Sequence, residues 1–168
     1  EYSITRKLKE MIVARRIADG VRRAWNQREP AEITWGFADE PNQVFNRRWF
    51  MKPGTIPVNP LGGQDQVKMN PPRASPDLDR PAGPTDPEVQ VLAVRAKADG
   101  RPLALLAAYG LHYVGGVGDG HISADYFGVF ADVVARRLTT EALDPPFVGM
   151  LANGTSGDVN NIDFRAPA

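Results

Sequence analysis

Glu88-Val-Gln-Val-Leu-Ala-Val-Arg-Ala96, followed by Lys97-Ala-Asp-Gly100 and then by Pro102-Leu-Ala-Leu-Leu-Ala-Ala-Tyr109, is the stretch that decides the fold. Both long runs are rich in apolar residues, and an Asp-Gly pair between two such runs is a strong hairpin signal. Strands are therefore expected over 88–96 and 102–110. The second run is apolar enough to be buried on both faces. It empties into Gly110-Leu-His-Tyr-Val-Gly-Gly-Val-Gly-Asp-Gly120, a glycine-rich turn flanked by His112 and His121, the chain's only two histidines.

Downstream, Tyr126, Phe127, Phe130, Val133, Val134 and Leu138 recur at helical spacing, so a helix is expected over 125–139 with Ser123 or Asp125 as its N-cap. After Pro145-Pro146, the apolar run Phe147-Val-Gly-Met-Leu151 reads as a buried strand over 147–152. It ends in a second polar loop, Ala152-Asn-Gly-Thr-Ser-Gly-Asp-Val-Asn-Asn161. Upstream, apolar residues from Ile4 and Leu8 through Met11, Ile17, Val21 and Trp25 predict a helix over 3–27. The alternating Glu32–Phe37 run predicts a strand over 32–37. Between 38 and 86 the pattern changes. Ten prolines fall from Pro41 to Pro87, and regular structure is expected only as a turn or two around Val44–Phe50. Phe45, Trp49, Phe50 and Met51 argue that this long segment is ordered over a larger body. The fold class read from this order is α/β, a mixed β-sheet with flanking helices and a long proline-rich ordered loop. The beginning inside a helix pattern and the end just after a polar loop suggest an internal piece of a longer protein.

Composition narrows the function. Lys plus Arg equals Asp plus Glu at 20 each, so no net field points to nucleic acid. No apolar run approaches the ~20 residues of a membrane span. With no cysteine, disulfides, thiolate metal sites and cysteine nucleophiles are excluded. Lys7, Lys9, Arg15, Arg16, Arg22 and Arg23 on the first helix read as a solvated face rather than a phosphate surface, since Glu10 and Asp19 interrupt them. Gly116-Val-Gly-Asp-Gly120 is not the dinucleotide spacing, and Gly154-Thr-Ser-Gly-Asp158 lacks the last glycine of a nucleophile elbow.

The two polar loops follow two apolar strands, at the sheet edge where α/β proteins bind ligands. His112 at a strand end has two readings, a structural histidine with satisfied hydrogen bonds or a metal ligand. His121 is either a solvated loop residue or part of the same site. Asp119, Asp125 and Asp158 are expected near that edge, and imidazole with carboxylate suits zinc.

Four segments together carry a family resemblance. "FNRR" at Phe45–Arg48, "TDPEVQVLAVRAKADGRPLALLAAYGLH" at Thr85–His112, "HISADYFG" at His121–Gly128 and "FVGMLANGTSGDVNN" at Phe147–Asn161 resemble, in order, segments of the neutral/alkaline ceramidases in their N-terminal catalytic domain. The second matches an Asp-Pro start, a hairpin and a strand ending in a zinc-binding histidine. The third matches Ile-Ser-x-Asp-x-x-Gly, and the fourth matches a Gly-Asp-Val-Ser-Pro-Asn loop. The resemblance implies a zinc-dependent hydrolase, secreted or extracytoplasmic, acting on the amide of N-acylsphingosine or a related ester, a small-molecule or lipid substrate. It implies that zinc is held by two histidines, a glutamate and a tyrosine. Only one maps here, to His112; the others are expected before residue 1 and after residue 168, in the remainder of the same polypeptide. Asp158 is then expected to orient a donor or a water, and Asn160 to stabilise an oxyanion. Asn46, Arg47, Ser156, His121 and Asp125 are candidates for touching substrate or supporting the site. The chain departs from the pattern at Asn160, which stands where the family has Ser, and at Asn161 and Ile162. That departure supports an alternative, a non-catalytic homologue that binds a glycan, a lipid or a protein.

Overall fold

A computed structural model of the chain describes residues 2–113 and 115–167, and the side chains of Lys7 and of 9 onward apart from Val114. The side chains of Ile4 and Leu8, expected in the apolar stripe of the first helix, lie outside the described residues.

The hairpin forms as its sequence dictates. β1 (Ala31–Asp39), β6 (Glu88–Ala96), β7 (Pro102–Tyr109) and β8 (Val148–Asn153) make one sheet in the order β1-β6-β7-β8. β1 and β7 each run antiparallel to β6, while β8 runs parallel to β7. The Lys97–Gly100 turn closes with Gly100 N–H on Ala96 O at 3.0 Å, and Gly100 takes φ +73°, a conformation glycine adopts without penalty. The parallel pair needs a crossover, which α2 (Asp125–Arg137) supplies. α2 sits so close to β8 that a side chain at Gly149 would reach 3.2 Å from Ala131 O. The sheet is mixed, with helices and a long ordered loop, which is the α/β class read from the sequence.

Three expectations are corrected. The proline-rich segment holds more regular structure than its composition suggests. A 3-10 turn, Pro41–Gln43, leads to β2 (Phe45–Asn46) and β3 (Arg48–Met51), and β3 is flanked by β4 (Val67–Met69) and β5 (Leu78–Pro81) in a second, three-stranded sheet. Proline sits at a strand end in β5, where a missing N–H costs no central ladder bond. Trp49 anchors this sheet at 4% exposure, its indole N–H donating to Asn46 O at 3.0 Å. Second, the helix start is not capped by Ser123 or Asp125. Ala124 holds the N-cap position and has no polar side chain to cap with; Asp125 divides its carboxylate between Gly115 N–H across the loop and Tyr126 N–H. Third, β7 and β8 are not buried on both faces. Trp35, Leu92, Leu106 and Met150 fall in one register row across the sheet and are 38–83% exposed. The opposite face carries Ala107, 1% exposed, and packs toward α2.

The first helix, α1 (Tyr2–Asn26), has the expected extent, but its apolar stripe is open. Met11, Ile12, Ile17, Val21 and Trp25 are all exposed. No helix among the described residues is long and apolar enough to cross a membrane. The core sits at the C-terminal end of β7. Val44, Tyr109, Leu111 and Val159 cluster there, with Val89, Tyr126 and Leu151 packed against them. These residues come from the excursion, the hairpin, the helix and the second polar loop, so the core ties together the segments that carry the candidate site.

Candidate functional site

β7 delivers the site. Its alternation leaves Tyr109 and Leu111 buried at 7% and 5% exposure, and the Tyr109 hydroxyl donates to Glu40 O at 2.6 Å. Burial raises the Tyr109 phenol above its ordinary value. His112 follows Leu111 directly and is half-buried. The Leu111 carbonyl accepts from the Tyr126 hydroxyl at 2.7 Å, and the Tyr126 phenol is pushed up to about 12, first by burial and then by the Asp125 and Tyr109 charges.

The second polar loop begins beside this strand end. Gly154 N–H donates to Tyr109 O at 2.8 Å, extending the β7–β8 ladder by one bond. A Cβ at Gly154 would stand 3.2 Å from the Tyr109 carbonyl carbon and 3.3 Å from Gly110, so only glycine lets the two backbones approach this closely. A depression of about 200 Å³ opens at this rim, lined by Asp86, Glu88, Gln90, Gly110, Gly154 and Thr155 among others.

The loop then doubles back and is fastened by the excursion. β9 (Val159–Asn160) pairs antiparallel with β2, Phe45 opposite Asn160 and Asn46 opposite Val159. Arg47 N–H donates to Asp158 O at 2.8 Å, and the Arg47 guanidinium donates twice to Gly157 O, at 3.1 and 2.8 Å. Asn46 is 4% exposed. Its Nδ2 donates to Gly83 O at 3.1 Å and to Asp158 Oδ2 at 3.4 Å, while its Oδ1 accepts from Arg48 N–H at 2.8 Å. Ser156, 8% exposed, offers its carbonyl to Val159 N–H at 3.2 Å. Asn160 turns its Oδ1 back to Asn161 N–H at 2.7 Å, so the amide donor is the group it retains for another partner.

Of the residues singled out from the sequence, Asn46, Arg47, Ser156, Asp158 and Asn160 thus form one cluster on the β2–β9 ribbon. His112 lies three residues beyond the end of β7, whose last residue, Tyr109, accepts from Gly154 N–H at the start of the second polar loop. Asp125 lies at the start of α2, its Oδ2 accepting from Gly115 N–H at 2.9 Å. His121 is exposed on the glycine-rich loop, where its N–H closes a turn onto Gly118 O at 3.1 Å. Among the described residues, no group of three or more His, Asp or Glu side chains is placed to hold a metal ion. An imidazole such as that of His112 is a chemically suitable donor for one position of a tetrahedral zinc set. Sequence reading missed Gly83 and the phenol of Tyr126. Gly83 gave no signal beyond composition. Tyr126 was read as part of an apolar helix face, but a tyrosine in a first helical turn also brings a hydroxyl that must find a partner when buried.

No protein-family profile matches the chain, and no curated protein matches it by sequence. Solved structures do. The neutral ceramidase from Pseudomonas aeruginosa superposes with a TM-score of 0.57 at 19% identity, over 88% of this chain and 20% of that one. A ceramidase complexed with C2 gives 0.54 at 18% identity, over 83% of this chain and 18% of that one. The chain has a ceramidase-like fold. It spans about one fifth of the length of the ceramidase structures it matches.

Proposed function

We propose that this chain is part of a zinc-dependent hydrolase that cleaves an amide of the N-acylsphingosine type, or a related ester. The observation that carries the reading is the meeting of two loops at one rim. The parallel pair β7–β8 sets the His112 segment beside the loop of Ser156, Asp158 and Asn160, joined by the Gly154–Tyr109 bond. The ceramidase-like fold supports it. In this reading His112 holds the metal together with ligands from the rest of a longer polypeptide. Zinc, when bound, supplies Lewis-acid activation of water near neutral pH. Asp158, fixed by Asn46, accepts a hydrogen bond from the substrate or from water. Asn160 donates from Nδ2 to the oxygen on which negative charge develops. Arg47, anchored on Gly157 O, holds the loop in shape. By the same family likeness, the enzyme works outside the cytoplasm on a lipid substrate.

The test is His112→Ala in the full-length protein, with zinc measured by elemental analysis. Loss of zinc supports the assignment, and full retention of metal rejects it. A second reading, a non-catalytic binding module, is favoured by Asn160, since a carboxamide cannot be deprotonated into a nucleophile. A screen of chromogenic amides and esters separates the two. Zinc with turnover supports the enzyme, and ligand binding without either supports the binding module.

A further inference from the structure

Among the described residues, Leu111, Tyr113 and Gly115, which bracket His112, are each tied to the start of α2. The Tyr126 hydroxyl donates to Leu111 O at 2.7 Å, the Tyr113 hydroxyl donates to Ser123 O at 2.8 Å, and Gly115 N–H donates to Asp125 Oδ2 at 2.9 Å. The ties thus bracket the histidine on both sides. Asp125 itself is held from its own side of the gap. Its N–H donates to Ser123 Oγ at 3.0 Å, and its Oδ1 accepts from Tyr126 N–H at 2.6 Å.

This helix start departs from the ordinary pattern in two ways. Asp125 has φ +51°, in the left-handed region that a non-glycine residue keeps only where its surroundings hold it there. The N-cap position belongs to Ala124, which makes no side-chain cap bond, while one oxygen of a good capping residue is spent across the loop. The turn is also shaped for this purpose. A Cβ at Gly128 would come within 2.8 Å of Ala124 Cβ, so glycine there permits the tight entry. A left-handed first residue, with one carboxylate oxygen turned away from the helix, gains the helix little locally. The return is a fixed backbone at Leu111, Tyr113 and Gly115, on either side of the histidine.

We infer that Asp125 and Tyr126 are positioning residues for His112. Tyr126 fixes the peptide before the histidine, and Asp125 fixes the backbone after it, so together they set where the imidazole stands at the rim. The inference rests on the reading of His112 as a zinc ligand, and neither residue touches the metal. Partners that orient metal ligands from behind contribute about 10–100-fold to metal affinity.

The experiment compares wild type with Asp125→Ala, Tyr126→Phe and His112→Ala in the full-length protein. Zinc affinity is read by competition with a chelator, and backbone mobility by hydrogen exchange in peptides covering 111–121 and, as a folding control, 88–109. Expected for Asp125→Ala is faster exchange in 111–121, unchanged exchange in 88–109, and zinc bound about 10-fold more weakly. Tyr126→Phe, which removes only one hydroxyl and keeps the packing, is expected to weaken zinc in the same direction. Normal zinc affinity in both variants, whether or not the loop loosens, overturns the inference while leaving His112 as a ligand. Retention of zinc by His112→Ala overturns it together with the reading on which it rests. If Asp125→Ala fails to fold, with raised exchange in 88–109, Tyr126→Phe decides the matter alone.

Discussion

Replacing Asn46 tests whether the excursion fastens the second polar loop. The side chain is 4% exposed and makes two good hydrogen bonds, to Gly83 O at 3.1 Å and from Arg48 N–H at 2.8 Å, plus a longer one to Asp158 Oδ2 at 3.4 Å. Asn46→Ala removes all three and leaves the part-buried Gly83 carbonyl and Arg48 N–H without these partners. At about 1 kcal/mol per good bond, with part of the desolvation cost of the orphaned groups added, the loss is about 2–3 kcal/mol. Asn46→Asp is the sharper variant. It keeps an oxygen for Arg48 N–H but sets a second carboxylate against Asp158 Oδ2 and Gly83 O. Two carboxylates that close do not both ionise cheaply, so the pair's folded pKa lies above its unfolded value. A raised folded pKa means the deficit is smallest below about pH 4, where the unfolded carboxyls are also protonated, and grows as pH rises through the folded value. Urea unfolding of the full-length protein at pH 7 and pH 4, followed by tryptophan fluorescence, reads both effects. An Asn46→Ala change under about 0.5 kcal/mol, in the range of an ordinary surface substitution, would refute the reasoning. So would an Asn46→Asp deficit that does not depend on pH.

Two further outcomes are expected. Gly154→Ala puts a methyl group 3.2–3.3 Å from the backbone of Tyr109 and Gly110, which cannot yield as a side-chain tip does; a loss of about 1–3 kcal/mol is expected in thermal unfolding, and an unchanged melting temperature would show that the loops do not meet as described. The Tyr126 phenol, raised from 10.0 to about 12, favours the folded state fully below pH 10 and loses that contribution as pH rises through about 12; stability measured across this window should fall more steeply in wild type than in Tyr126→Phe, and parallel curves would argue against its burial and its bond to Leu111.

Much of the main sheet could be read from local pattern, because its information is local. The Asp-Gly turn fixed the register of β6 against β7, and the α2 stripe announced the crossover that makes β8 parallel to β7. The small sheet of β3, β4 and β5 could not be read this way. Its strands are three or four residues long and one ends in proline, too short for a period to emerge, and they are defined by distant partners such as Trp49 opposite Pro81. The exposure of the apolar sheet face was also hidden, since alternation tells which residues share a face but not whether anything lies on it. At the candidate site, the Asn46–Arg47 and Ser156–Asn160 segments were singled out separately, on likeness to a family pattern. Their direct pairing through β2 and β9 had no sequence signal, because a two-residue ribbon leaves none. Asp125 was read as a helix cap from its type and place. The structure keeps one of its oxygens on Tyr126 N–H and sends the other across the loop, a division that depends on where Gly115 lies in space.

The β2–β9 ribbon has a consequence for the order in which the molecule comes into being. Asn46 and Asp158, which it joins, stand 112 positions apart. Closing a loop of that length exacts its entropy before any contact rewards it. During synthesis, Asn46 and Arg47 emerge long before the strand that gives them their purpose. The hairpin and α2, built on contacts near in sequence, can form before that corner closes.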